Sequence, residues 1–298
     1  MKSKKVFFWA CDYNSNTGEG RLGRLYIKKF KKKFKNNPIR INPLNKKLLN
    51  YKYISPFIGV LIAWSYFFKK KRIIYLNYLP YWNFLLFLLL PPSTEIGPIT
   101  GGASYSKKSK DYYFRKLIFP VLYFLSGMIL RLRFNNLIFS TDLLKKKLSN
   151  KLIKRSRFNY IFHEIKEVKK VKNKDINFLF YFRKHKNKEY SFPFKLINKL
   201  LLNNYSVNII GDKINIKKVK NYGFIPHDKV LKLLNKTRYT VVSNENIFSF
   251  FTIDAINNDV KLLVDFKMYN SIKYYKKKFI KFNFNSNNLK KLKIKKCQ

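Results

Sequence analysis

The chain has 298 residues, 46% of them hydrophobic, and its 64 Lys and Arg against 15 Asp and Glu give a formal charge of +49. That apolar content excludes a disordered tail, which lacks the side chains needed to offset chain entropy. Two cysteines, Cys11 and Cys297, exclude a disulfide scaffold. Lys, Asn, Ile, Phe and Tyr dominate, a bias that matches the drift of a very AT-rich genome and equally a surface that attracts anions. Both hold together, because a drifted lysine keeps its charge.

The apolar run Val6–Cys11 is six residues long and ends at Asp12. It is too short for a secretory signal and reads as a buried first strand, so the cytoplasm is the expected compartment. The loop Asp12-Tyr-Asn-Ser-Asn-Thr-Gly18-Glu-Gly20 follows. Leu22, Leu25, Tyr26 and Phe30 then recur at helical spacing. Strand, glycine loop and helix in this order open a nucleotide-type α/β domain. Apolar stretches follow at residues 54–68, 78–92 and 117–130. Each is shorter than the ~20 residues of a spanning helix. Buried core helices explain them, as do interfacial helices with basic flanks at lipid headgroups. Residues 72–77 and 136–141 are candidate strands, and 85–90 fits a strand or a buried helix.

Between about residues 142 and 175 the chain turns polar and basic. The predicted organisation is a first domain over 1–160, a basic linker over 161–175 and a second domain over 176–298 with a basic tail. In the second domain short elements alternate: strand 176–182, helix 194–204, strand 206–210, helix 227–236, strand 239–243, helix 249–257 and strand 260–264. Such alternation predicts a parallel sheet.

The strand ending at Phe182 delivers Arg183 and, five residues on, Lys188 to the C-terminal edge of that sheet, where ligands bind in open α/β folds. An arginine there grips a phosphate with two donors, and a solvated basic loop is the plainer alternative. Gly223-Phe-Ile-Pro226 brackets a turn before an amphipathic helix. Glu245 follows a strand, and Ser249 and Phe250 open a helix whose first amides favour an anion. Asp254 lies about one turn further, where a carboxylate can accept hydrogen bonds from sugar hydroxyls.

Arg183, Lys188, Gly223-Phe-Ile-Pro226, Ser243, Glu245 and Asp254-Ala255 stand in an order that resembles the second domain of GT-B glycosyltransferases. The likeness is to the large retaining, family-4-like group that includes bacterial surface-polysaccharide enzymes. It covers roughly residues 176–265, with an echo at Gly18-Glu-Gly20. The branch is divergent, since Glu245 and Asp254 are nine residues apart rather than eight and the second acid is Asp.

The resemblance implies two Rossmann-like domains with parallel sheets facing across a cleft. It implies glycosyl transfer from a nucleotide-diphosphate sugar to a lipid-linked or surface-polysaccharide acceptor of lipopolysaccharide type. Arg183, Lys188 and Glu245 would be catalytic, the first two stabilising the departing diphosphate without a metal. Gly18, Gly20, Ser249, Phe250 and Asp254 would bind the donor. Gly97, Thr100, Gly101 and Gly102 would form an acceptor-side loop. No cofactor and no metal are expected, because His163, His185 and His227 have no metal-ligand spacing. The expected partners are the donor, the lipid-linked acceptor and an anionic membrane surface, with the protein peripheral on the inner face of a bacterial cell membrane. Nucleic acid is not expected, since the lysines are spread along the chain. A basic nucleic-acid-binding protein and a catalytically silent scaffold of the same fold remain as alternatives.

Overall fold

A computed structural model describes residues 6–33, 39–43, 54–101, 112–166, 174–184, 192–242 and 246–284. The chain forms two compact units, the first reaching His163 and the second beginning at Glu164.

Unit 1 is built on β1 (Val6–Ala10), a strand buried at all five positions. Such a run, apolar without alternation, is what a parallel strand covered on both faces requires. After helix α1 (Gly18–Lys33) come β2 (Ile39–Pro43), helix α2 (Ser55–Phe68), β3 (Arg72–Tyr75), helix α3 (Phe84–Leu89) and β4 (Glu95–Ile96). The sheet runs β2-β1-β3-β4 with every pair parallel, Val6 standing opposite both Ile39 and Arg72. The side chains of β1 divide with period two. Val6, Phe8 and Ala10 pack with Ile27 and Phe30 of α1. Phe7 and Trp9 join the core under α2 and α3.

Pro56 stands in the first turn of α2, where its missing N–H costs nothing. Residues 84–89 are helix, which resolves the strand-or-helix ambiguity of that stretch. Asn83 caps α3, its Oδ1 accepting from Leu86 N at 3.3 Å. Helix α4 (Tyr112–Arg133) is the longest, at 22 residues. The strand expected over 136–141 shrinks to β5 (Leu137–Ile138), which after the short helix α5 (Asn150–Lys154) pairs in parallel with β6 (Ser156–Arg157).

Unit 2 runs β7 (Ile176–Phe182), α6 (Phe194–Leu202), β8 (Val207–Gly211), β9 (Lys220–Asn221), α7 (His227–Asn235) and β10 (Thr237–Val241). It continues with α8 (Phe250–Asn257), β11 (Lys261–Asp265), α9 (Phe266–Tyr269) and β12 (Phe279–Phe282). Its sheet has six strands in the order β12-β11-β10-β7-β8-β9, all parallel. The chain builds outward through β8 and β9, then returns to the other side of β7 and builds outward again. This is the doubly wound order of a dinucleotide-binding fold. Leu196, Ile197 and Leu200 of α6 are fully buried against the sheet, each worth about 1.5–3 kcal/mol. The expected α/β class with parallel sheets describes both units.

Candidate functional site

In each sheet the strand order reverses once, and the carboxyl ends of the two strands flanking that reversal open a crevice suited to a ligand. In unit 2 the flanking strands are β7 and β10. Arg183 and Lys184 leave the end of β7, and both are exposed. The exit of β7 is held from below. Gly211, at φ +97°, turns so tightly under it that a Cβ would stand 2.1 Å from the Phe182 carbonyl oxygen. Asp212 N donates to that same oxygen at 3.0 Å, and Lys184 N donates to Asp212 Oδ2 at 2.6 Å. Glycine at 211 therefore sets the direction in which Arg183 leaves the sheet.

The Gly223-Phe-Ile-Pro226 turn is stitched to the same edge, with Gly211 N donating to the Gly223 carbonyl at 2.9 Å. The turn delivers His227, first residue of α7, to α8. There His227 Nε2 stands 3.0 Å from Asp254 Oδ2, and the carboxylate is buried. Ser249 caps α8, its Oγ accepting from Thr252 N at 3.2 Å. Tyr181 of β7 and Phe251 of α8 meet with ring centroids 5.5 Å apart. The first turn of α8, with its outward amides and positive dipole end, thus lies at the reversal beside the strand that carries Arg183.

Of the residues the sequence marks in this unit, Arg183, Ser249, Phe250 and Asp254 are brought to one edge. Lys188 and Glu245 lie outside the described residues. Asp254 is expected to meet ribose directly, and in the structure its buried carboxylate meets His227. Sequence alone does not join His227 to this site, because the two residues are 27 apart, on different helices.

In unit 1 the reversal lies between β1 and β3. Asp12 follows β1 and Asn77 closely follows β3, and both are buried. They bridge the crevice: Asp12 N donates to Asn77 Oδ1 at 3.3 Å, and Asn77 Nδ2 donates to the carbonyls of Asp12 and Glu19. The Asp12 carboxylate accepts from Asn14 N at 2.8 Å and from Thr17 Oγ1 at 2.5 Å, and Thr17 Oγ1 accepts from Gly20 N at 3.1 Å. These bonds fold the glycine loop onto the start of α1.

Gly18 and Gly20 lie in the first turn of that helix rather than in the loop before it. A Cβ on Gly20 would stand 2.1 Å from the Asn14 carbonyl oxygen. The close approach made possible by Gly20 is thus to the protein's own backbone. Between the two glycines, Glu19 Oε1 accepts from Thr100 Oγ1 at 3.1 Å. The start of α1 and the loop carrying Thr100 meet through this bond. Glu19 Oε2 is buried with no hydrogen-bond partner among the described residues. Burial pushes the Glu19 carboxyl above the ordinary carboxylate range, and Thr100 and the Tyr78 amide pull against it. A carboxyl in this state can take or hold a proton.

Gly97 packs just beyond the end of β3, where a Cβ would meet the Leu76 carbonyl oxygen at 2.6 Å, and Gly101 adopts φ +144°. Gly102 lies outside the described residues. Cys11 is wedged between Trp9 and Tyr75, and burial pushes its thiol up to about 11, which leaves it inert.

No family model matches the chain, and no curated protein matches it. Several solved structures are similar in fold. Alr3699/HepE from Anabaena, in complex with UDP and glucose, aligns over 88% of this chain and 80% of its own, at 9% identity and a TM-score of 0.49. A UDP-GlcNAc 2-epimerase from Methanocaldococcus jannaschii, in complex with UDP-GlcNAc and UDP, aligns over 94% and 89%, at 9% identity and a TM-score of 0.48. The heptosyltransferase WaaC from E. coli, with ADP-2-deoxy-2-fluoro heptose, aligns over 97% and 98%, at 9% identity and a TM-score of 0.38. The α/β class rests on the parallel sheets of the chain itself.

Proposed function

We propose that the protein is a glycosyltransferase that takes its sugar from a nucleotide-diphosphate donor held by unit 2 and passes it to a hydroxyl of a lipid-linked glycan. One observation carries this reading: Arg183 and the first turn of an eight-residue helix, α8, stand together at the strand reversal of a six-stranded doubly wound sheet. A guanidinium and a helix N-terminus at one such edge suit a diphosphate. The order of Arg183, Lys188, the 223–226 turn, Glu245 and Asp254 along the chain supports the same choice.

In the reaction the bond between the anomeric carbon and the diphosphate oxygen breaks. The acceptor oxygen bonds to that carbon as its proton passes to the departing diphosphate oxygen. Arg183 and Lys188 neutralise the charge that builds on the leaving diphosphate, so no metal is needed for that step. Ser249 and Phe250 seat the diphosphate at α8, and Glu245 contacts the donor sugar. Asp254 acts through His227, which it orients toward the nucleoside. Retention of anomeric configuration and a place in the family-4-like group follow from the motif order. Lipopolysaccharide-type acceptors and a position on the inner membrane face belong to the same proposal.

A thermal-shift screen of the purified chain with UDP, GDP, ADP, CMP and their common sugars tests it, since a ligand bound to the native state raises its apparent stability. A selective rise with one nucleotide is expected. A rise with random oligonucleotides alone would replace this reading with nucleic-acid binding. A nucleotide that binds and is never turned over with any glycolipid would leave a silent scaffold.

A further inference from the structure

Helix α4 carries the proposal. It is long and apolar enough to cross a membrane by length and composition. One side of it is taken: Tyr123, Ser126, Ile129 and Leu130 are buried against unit 1. The other side is bare, with Leu117 at 69%, Phe124 at 70% and Leu132 at 72% exposure, spaced so that one face of the helix is apolar from end to end. A helix packed on its own domain along one side and apolar and uncovered along the other suits the plane of an interface.

The neighbouring helices extend this face. Among the described residues 21 large apolar side chains are exposed, and 15 of them belong to α2, α3, α4 or the residue just before α2. Leu61 and Phe68 project from α2, and Leu88 from α3. The three helices are tied into one plate at the C-terminal end of α3. Arg133 of α4 donates to the carbonyls of Phe87, Leu88 and Leu90, and Trp64 of α2 donates from Nε1 to the Leu89 carbonyl at 2.8 Å. Carbonyls left bare at a helix end are costly away from water, and here the protein itself supplies the donors.

The charge around the plate selects its occupant. From residue 54 to residue 133 the chain has eleven Lys and Arg and two acidic residues. Lys69 and Lys70 follow α2 directly, and Lys116 and Arg131 flank the exposed row of α4; all four are exposed. An apolar protein partner would meet the leucines and phenylalanines but leave these cations unmatched. An anionic headgroup layer meets both, the cations at phosphate level and the apolar row just beneath.

We propose that the α2–α3–α4 face of unit 1 docks in the plane of an anionic phospholipid bilayer, with α4 lying flat in the interface. This supplies a physical site for the membrane partner of the proposed transferase, and its test needs neither donor nor acceptor. Failure here therefore leaves the transferase reading standing, and failure there leaves this one.

The experiment is co-sedimentation of the full chain with phosphatidylcholine vesicles, with and without phosphatidylglycerol as the anionic lipid. Wild type is expected to pellet with anionic vesicles and to release as salt shortens the Debye length. Brominated acyl chains are expected to quench the half-buried Trp64 and Trp82. The double variant Leu117→Glu/Phe124→Glu should bind at least tenfold more weakly, as should Lys69→Ala/Lys70→Ala/Lys116→Ala/Arg131→Ala. Leu202→Glu, at an apolar side chain of unit 2 that is 82% exposed, should bind like wild type. All these changes are at exposed positions, and an unchanged melting temperature confirms that each variant is folded. Equal binding by the α4 double variant, equal binding to neutral vesicles, or binding without bromine quenching would overturn the proposal. So would a stable dimer that the same double variant dissolves while vesicle binding is absent.

Discussion

Replacing Gly20 with alanine tests how the unit 1 loop is built. The new Cβ would stand 2.1, 2.5 and 2.8 Å from the carbonyl oxygen, nitrogen and carbonyl carbon of Asn14. All three are backbone atoms, held by the Asn14 N to Asp12 Oδ1 bond of 2.8 Å and by the Thr17 contacts to Asp12 and to Gly20. No side chain can swing away, so the loop must move. Overpacking of this kind costs about 1–3 kcal/mol, and more where the neighbour is rigid. Alanine returns about 0.5–1 kcal/mol of helix propensity inside α1. The net loss is about 1–2 kcal/mol, which at about 2–4 °C per kcal/mol for units of this size lowers the melting temperature by roughly 2–8 °C. Urea denaturation followed by circular dichroism reads the difference. Stability unchanged within about 0.5 kcal/mol, the ordinary spread of a neutral surface change, would refute the close packing and return Gly20 to a role toward a ligand.

Other outcomes follow from the same geometry. Glu19→Gln should melt above wild type at pH 7 and together with it near pH 4. The folded carboxyl holds its proton above the ordinary value of 4.5, so wild-type stability falls as pH rises through that raised value; identical melting curves at both pH values would contradict this. Lys174 donates to the Asn258 and Asp259 carbonyls at 2.9 and 2.7 Å, and burial lowers its pKa to about 8. Between that value and its ordinary 10.5 the unfolded chain binds the extra proton, so stability should rise with pH across that window. Lys174→Met should flatten that rise, and an unaltered slope would rule the lysine out as its source. EDTA should leave glycosyl transfer intact, and a loss restored by Mg²⁺ or Mn²⁺ would show that the diphosphate needs more than Arg183 and Lys188.

The elements legible in the sequence are those that bury a continuous apolar run between polar breaks. Strand β7 is read over its full length because Ile176–Phe182 is flanked by charged residues, Lys174-Asp175 and Arg183-Lys184, and has no polar interruption after Asn177. Helices α7 and α8 start within a residue of their expected positions, marked by Pro226 and by the Ser249 cap. Strand β2 is not legible because Ile39-Arg-Ile-Asn-Pro43 is half polar and sits in a lysine- and asparagine-rich stretch. Strand β12 was hidden for the same reason behind Lys276-Lys-Lys278. The exposed face of α4 could not be told from a buried one, since period and composition are alike for a helix covered by protein and one left bare.

The candidate site divides in the same way. Arg183, Ser249 and Phe250 are legible because position after a strand or before a helix fixes their place at the sheet edge. Glu19, between two glycines, has no local signal of its own, although it joins Thr100 across 81 residues. Asp12 and Asn77 are 65 residues apart, and His227 and Asp254 are 27 apart. Only the parallel strand order brings each pair together, and that order is not written locally.

The central claim is that unit 2 holds a nucleoside diphosphate between Arg183 and the first turn of α8. Titration calorimetry of wild type and Arg183→Ala, with the nucleoside diphosphate that shifts the wild-type melting point, tests it most directly. Losing a charge-assisted, bidentate contact costs about 1.5–3 kcal/mol, so the variant should bind roughly 10- to 100-fold more weakly while keeping the wild-type melting temperature without ligand. Equal affinity in the two proteins would remove Arg183 from the site and contradict the placement of the diphosphate.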